Sequence, residues 1–278
     1  MALIRKLLCG NVRALEPGSV LQSPMLNLQG GTMDNVIVYC DVPESCWMIV
    51  HECSREKDLR HIRKQAAVDV NIEDMACGVR LYAVVGPDTE KLTEGAPTYL
   101  RLQTDHLGAS SWLMGVQEAD VPAFETDMAQ RGAVLHAQED LDIIMMENGV
   151  PAYGRELDDT INPLEVGLKR YVNLERAGFI GREALVAAGE PRRGVIGLVV
   201  SQEGAERGFN VVHRDKDVGM VTSAAYSPRM KRHIALALVE KPYQDVGRRL
   251  KVELADRMID AYVSALPFTP EEETEEEG

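Results

Sequence analysis

GGTMDNVIVYCDVPESCWMIVHECSREKDLRHIRKQAA, from Gly30 to Ala67, reads as two apolar strands followed by a charged helix. Val36 to Tyr39 and Trp47 to Val50 are the strands, and CDVPES between them carries the Pro, Asp and Ser of a turn. Ser54 is placed to cap the helix, on which Leu59 and Ile62 repeat at helical spacing beside a charged face. Asp34 stands between a diglycine and a segment that should be buried. Two readings are open there: a solvated turn acid capping exposed amides, or a carboxylate held for chemistry.

Working outward, VRLYAVVGP (Val79 to Pro87) is a strand apolar enough to be central in its sheet. DTEKLTEGAPTY, with Gly95 and Pro97, is a loop or short helix. ADVPAFETDMAQRGA is a helix, with Asp120 as cap, Pro122 in the first turn and Gly132 as terminator. DLDIIMMENG is a third, closing on Asn148-Gly149. From Gly194 onward the texture changes to short β-rich runs (GVIGLVVS, GFNVVH, VGMVTSAA, HIALALVE and RRLKVELADRMIDAYVSALPF) separated by turn residues. Such spacing predicts a small antiparallel barrel or sandwich. The fold class is therefore α+β followed by an all-β module. Its expected divisions are residues 1–189, residues 190–270 and an acidic disordered tail at 271–278.

The 278 residues are enough for two domains with real cores, and a hydrophobic share of 45% is ordinary for a globular protein. Aromatics are scarce at 5%, so aliphatic side chains and Met must fill the interior. The formal charge is −14, and the last eight residues are EEETEEEG. That balance argues against a nucleic-acid groove, which needs concentrated positive charge. No run approaches the roughly 20 apolar residues of a membrane span, and MALIRKLLCGNV lacks the core of a signal peptide. A cytoplasmic protein without nucleic-acid or membrane partners is expected. The five cysteines, Cys9, Cys40, Cys46, Cys53 and Cys77, include no C-x-x-C pair, which fits free thiols in a reducing compartment. A bridge between Cys40 and Cys46, which flank the turn at Pro43, is geometrically conceivable. Six histidines without H-x-x-x-H or H-x-H spacing predict no metal site. Neither G-x-G-x-x-G nor G-K-[ST] follows a strand, so no nucleotide loop is predicted.

Four blocks carry a resemblance to a known family. PAYGRELDDTINPLEVGLKRYVNLERAGFIGREAL (Pro151 to Leu185) resembles Y-G-x-D…P-x-E-x-G-L…F-I-G-x-x-x-L, and GGTMDNVIV resembles G-G-x-x-D-D-L-I-V. REKDL (Arg55 to Leu59) and VGMVTSAAYSP (Val218 to Pro228) match a following helix and a barrel motif G-x-V-T-S-x-x-x-S-P. The chain thus resembles the glycine cleavage T-protein or aminomethyltransferase superfamily. The resemblance implies ferredoxin-like lobes around a central channel plus an antiparallel β-barrel. It also implies tetrahydrofolate as cofactor and transfer of a one-carbon unit, methyl or aminomethyl-derived, from a small-molecule donor. In that family the first acid of G-G-x-x-D-D is the catalytic carboxylate, which falls on Asp34, while Gly30 and Gly31 would let the backbone pass close to a flat ligand. Asn35, Val36, His51, His106, Tyr153 and Arg170 are then the expected folate- or substrate-binding residues.

The pattern is not kept throughout. Asn35 replaces the second acid, Gln22 an aromatic residue and His51 an asparagine. In TDHLGASSWLMGV, His106 stands where a tyrosine is expected and Leu113 where the pterin-binding glutamate is expected. Leu141 and Met145 replace arginines, and Arg170 a tryptophan. These changes point to a divergent, demethylase-like transferase. The resemblance also implies several dozen residues ahead of IRKLLCGNV, so a partner chain or second copy completing that lobe is expected. Three other readings stand beside the enzyme: a non-catalytic folate-binding or assembly protein, a truncated subunit of a two-chain enzyme, and a dehydrogenase-associated folate domain. His51 and His106 are either hydrogen-bonded structural residues or titratable groups that meet a donor or move a proton.

Overall fold

The computed structural model describes residues 1–108 and 110–270, so the acidic 271–278 segment lies outside the described residues. In chain order the elements are α1 (Ala2–Leu7), β1 (Val20–Leu26), β2 (Thr32–Val42), β3 (Ser45–Ile49) and α2 (Arg55–Gln65). There follow β4 (Val79–Val85), α3 (Thr89–Thr93), β5 (Leu100–Thr104), β6 (Ser111–Gln117), α4 (Val121–Gln130), α5 (Gln138–Glu147) and α6 (Arg182–Ala188). The last six strands are β7 (Arg193–Val200), β8 (Asn210–His213), β9 (Lys216–Ser227), β10 (Arg232–Glu240), β11 (Arg249–Glu253) and β12 (Met258–Ser264). No helix among the described residues is long and apolar enough to cross a membrane.

Two three-stranded antiparallel sheets build the first part of the chain, in the orders β1-β2-β3 and β4-β6-β5. Alternation along β2 gives that strand two jobs. Val36, Val38 and Cys40 face α1 and join Leu7, Leu8, Val12 and Met25 in one apolar cluster. Ile37 and Tyr39 face the other way and meet Leu100, Leu102 and Leu113 of the second sheet. The two sheets therefore pack face to face across Ile37. The expectation that Val79–Val85 is central is not met: β4 is an edge strand, with few buried positions, and the middle place belongs to β6, which is buried over Leu113–Val116. Apolar composition alone does not separate an edge strand covered on one side from a central one.

The C-terminal strands close into a six-stranded barrel in the order β10-β7-β12-β11-β8-β9. Alternate residues such as Leu198, Val200, Val221, Ala235, Val252 and Ala261 fill its interior. Burial of each larger aliphatic there contributes about 1.5–3 kcal/mol.

Two local expectations are corrected. Cys40 and Cys46 are not free thiols; they are joined by a disulfide. The β2–β3 hairpin makes them direct cross-strand partners with Cα atoms 4.2 Å apart. Cys9, Cys53 and Cys77 remain free, and burial pushes the Cys9 thiol up to about 12. The diglycine also has a different purpose from close approach to a ligand. A Cβ on Gly31 would stand 1.8 Å from the carbonyl oxygen of Asp159. The close approach is to the chain itself: Thr32 N–H donates to Ile161 O (2.9 Å) and Asn27 Nδ2 to Asp159 O (2.7 Å). Those bonds lay the 151–162 segment across the start of β2.

Candidate active site

Asp34 is fully buried on β2, and both of its carboxylate oxygens are engaged. Oδ1 accepts from the Asn35 N–H (2.7 Å) and lies 2.5 Å from His51 Nδ1. Oδ2 accepts from the His51 N–H (2.9 Å) and the Ser54 hydroxyl (2.7 Å). Burial alone would raise its pKa, but the hydrogen bond and charge of His51 outweigh that and hold it well below the usual carboxylate range. A buried carboxylate with four donors around it is ionised and fixed in place.

The sequence sets this up locally. β3 ends at Ile49, and the chain turns through His51 into a short 3-10 turn, Glu52–Ser54, that leads into α2. Ser54, expected to cap α2, makes no side-chain cap bond; its hydroxyl is spent on Asp34 instead. One turn into α2, Asp58 is also fully buried, and neither of its oxygens has a hydrogen-bond partner at ordinary distance. Burial, followed by the neighbouring Asp34 charge, pushes the Asp58 carboxyl up to about 8. Two carboxyl groups in one buried corner thus divide the roles: Asp34 is charged and Asp58 is protonated at neutral pH.

The His106 ring centroid lies 5.9 Å from that of His51, and the Tyr153 ring centroid 6.3 Å. Burial pushes His106 down to about 4, so it is neutral, and its Nδ1 has no hydrogen-bond partner. Lys57 ties Tyr153 to the rest. Its ammonium donates to Met33 O (2.8 Å) and Asp159 Oδ1 (2.8 Å), contacts the Tyr153 hydroxyl, and sits 4.2 Å from that ring's centroid.

Of the residues singled out from sequence, Asp34, His51, His106 and Tyr153 are brought together. Asn35 is buried on the opposite face of β2 from Asp34, with both amide atoms unpartnered. Val36 is a core side chain packed among Leu7, Leu8 and Met25. Arg170 is exposed, lies 4.6 Å over the Tyr171 ring and reaches Asp105 at 3.7 Å, beside His106 but not in contact with Asp34 or His51. Sequence reasoning missed Ser54, Lys57, Asp58 and Asp159 as site residues. For Asp58 a signal existed: an acid four residues before Ile62 stands on the apolar stripe of its helix.

Among the described residues no group of three or more His, Cys, Asp or Glu side chains could hold a metal ion. Two surface cavities of about 560 and 550 Å³ are lined by other residues and take in neither Asp34 nor His51. The converging titratable groups, not those hollows, make up the candidate site.

Residues 1–121 match the GCVT N-terminal domain, and residues 193–269 match the glycine cleavage T-protein C-terminal barrel domain. The aminomethyltransferase of Geobacillus thermodenitrificans is 29% identical over 295 residues, covering 95% of this chain and 80% of that protein. That of Synechococcus elongatus is 29% identical over 297 residues, covering 96% and 79%. The crystal structure of the glycine cleavage system aminomethyltransferase T from Bartonella henselae superposes with a TM-score of 0.84 at 19% identity, over 96% of this chain and 80% of that one. With both domains matched in order, and the sheets and closed barrel in place, the chain belongs to the glycine cleavage T-protein or aminomethyltransferase superfamily.

Proposed function

We propose that this protein transfers a one-carbon unit, methyl or aminomethyl-derived, from a small donor to tetrahydrofolate at the site built around Asp34 and His51. The observation that carries the reading is the buried, ionised Asp34 held against His51, whose ring His106 and Tyr153 flank. It has the position and charge that the family resemblance requires of the catalytic carboxylate.

The residues present fit a flat polar heterocycle. His106 Nδ1 is buried without a partner, and its ring lies 5.9 Å from that of His51. Buried polar atoms need partners, and a ring bearing both donors and acceptors supplies them. When bound, tetrahydrofolate supplies the amine nitrogen that accepts the carbon. His106 and His51 would bind its polar edge, and the Tyr153 ring would cover its face. Leu113 offers no carboxylate for the guanidine-like edge, so the grip comes from neutral groups. The ionised Asp34 acts through the His51 ring that it holds and stabilises positive charge developing there. Lys57 and Asp159 hold Tyr153 at the mouth of the site.

Calorimetric titration with tetrahydrofolate tests the reading, followed by turnover assays with N-, O- and S-methyl donors. Micromolar binding and transfer are expected. No binding at high micromolar ligand would instead favour the non-catalytic alternative, to which the apolar Leu113 already lends weight.

A further inference from the structure

We propose that His51 Nε2 is the group that moves the proton during one-carbon transfer, and that Asp34 is a positioning residue acting through it. The proposal rests on the transferase reading above. Asp34 is fully buried, and its two oxygens already take the Asn35 N–H, the His51 N–H, the Ser54 hydroxyl and His51 Nδ1. A carboxylate offers about four lone-pair sites, so none is left for a ligand. Reaching one would mean breaking a buried charge-assisted bond.

His51 is placed differently. Its side chain is 23% exposed, its Nδ1 is held by Asp34, and Nε2 carries no hydrogen bond among the described residues. A carboxylate on one ring nitrogen fixes the tautomer, orients the ring and stabilises the imidazolium that forms when the other nitrogen takes a proton. Two further contacts hold the ring side: the His51 backbone N–H on Asp34, and the His51 carbonyl, which accepts from the Ser54 hydroxyl at 3.1 Å. The free nitrogen belongs to the part of the molecule that His106 and Tyr153 frame at 5.9 and 6.3 Å between ring centroids.

The step balances without any further reactant. A bond forms between the acceptor nitrogen and the carbon. The carbon–heteroatom bond of the donor breaks, with its electron pair staying on the heteroatom. His51 Nε2 takes the proton that the nitrogen loses and returns it to that heteroatom. The sum is N–H plus C–X giving N–C plus H–X, with the imidazole restored.

The charged and titratable groups around the ring are Asp34 on β2, Lys57 and Asp58 on α2, His106 from the β5–β6 loop, and Tyr153. Of these, Asp34 makes the direct contact. Removing its charge frees the ring to turn and takes away the anion that stabilises the imidazolium, so kcat falls while KM stays within threefold. A merely structural role for Asp34 would move KM and kcat together.

The test uses the full chain in two arms. In the first, diethyl pyrocarbonate is followed by peptide mass spectrometry, a readout independent of turnover. His51 is expected to be modified at its free Nε2, and to the same extent in H106Q, so that the half-buried His106 ring does not account for the label. In the second arm, tetrahydrofolate is assayed with an N-methylated amino acid, an aryl methyl ether and a methyl thioether. H51N is expected to lose about 10² to 10⁴ in kcat with KM within threefold. D34N is expected to fall in kcat with KM within threefold, circular dichroism confirming that both variants fold. An unmodified His51, or H51N turning over within threefold of wild type, overturns the proposal. If wild type turns over no donor, the transferase reading fails, and the modification arm alone decides whether His51 presents a reactive nitrogen.

Discussion

Ser227 of β9 donates its hydroxyl to Glu147 of α5 at 2.5 Å, and both side chains are buried. Four residues earlier, Ser223 makes the same contact with the buried Glu156, also at 2.5 Å. The two serines of VTSAAYSP thus clamp the barrel onto the preceding part of the chain through two carboxylates, with Arg229 Nε completing Glu147 at 3.2 Å. Ser223→Ala and Ser227→Ala each leave a buried carboxylate short of a donor, which costs about 1–3 kcal/mol. Urea denaturation should show a lowered midpoint for each variant, and a larger loss for the pair.

Gly31→Ala is expected to be far more damaging than its size suggests. The added methyl would overlap the Asp159 carbonyl at 1.8 Å, which is backbone and cannot rotate away. The 151–162 segment must shift, breaking the Thr32–Ile161 and Asn27–Asp159 bonds. A loss of about 3 kcal/mol or more is expected. At Gly30 the neighbours are side-chain carbons at 3.3 Å and φ is +82°, so alanine there should cost roughly 1–2 kcal/mol. Thermal melts of the two variants, compared side by side, check the order.

Lys57→Met keeps the aliphatic stem but removes the ammonium that ties Met33, Tyr153 and Asp159. Burial raises the Tyr153 pKa, and the Lys57 charge pulls against that rise. Without Lys57 the phenol should therefore titrate at still higher pH, which tyrosinate absorbance would show. The Tyr153 side of the site should also loosen, raising KM more than it lowers kcat.

The parts of this molecule that were legible in sequence are those governed by period and punctuation. Val36–Tyr39, Trp47–Val50, the helix after Ser54 and each barrel run could be read because alternation or a turn residue marks them. β4 was misplaced because sheet position is a tertiary property that Val79–Val85 does not encode. In the site, Asp34 stood out by its neighbours Gly30 and Gly31, and His51 and His106 by the pattern they interrupt. Asp58 and Lys57 were hidden within a charged helix whose solvent face looks the same in sequence as the edge it turns toward β2. The Ser54 hydroxyl was assigned to helix capping because sequence cannot tell which of two nearby acceptors a hydroxyl will choose.

Leu113→Glu would restore the family's carboxylate at a point now 8% exposed among Ile37, Leu100 and Leu102. An unpaired charge there should destabilise the free protein by about 3 kcal/mol or more. If tetrahydrofolate presents its guanidine-like edge at this position, the variant should regain part of the loss on binding and show a larger ligand-induced rise in Tm than wild type. An equal or smaller rise would place that edge elsewhere.

Asp58 and His106 pull stability in opposite directions as pH changes. Asp58 titrates at about 8 in the folded chain against an ordinary 3.8, so the native state keeps a proton that the unfolded chain releases. Its stabilising contribution is complete below about pH 4 and is lost as pH rises through 8. His106 titrates at about 4 against 6.5, so the unfolded chain binds a proton that the native state refuses. Its contribution is complete above about pH 6.5 and is lost as pH falls through 4, by about 3 kcal/mol at most. Between pH 4.5 and 6.5 the two slopes offset each other, and above pH 6.5 only the Asp58 loss remains. Asp58→Asn should therefore become more stable relative to wild type as pH rises from 5 to 9. His106→Gln should gain relative to wild type as pH falls from 6.5 to 4.5. Urea midpoints measured across pH 4.5–9 for the three proteins would separate the slopes. Parallel curves for wild type and Asp58→Asn would mean that Asp58 is ionised beside Asp34, and that the two carboxyl groups do not divide the charge as described.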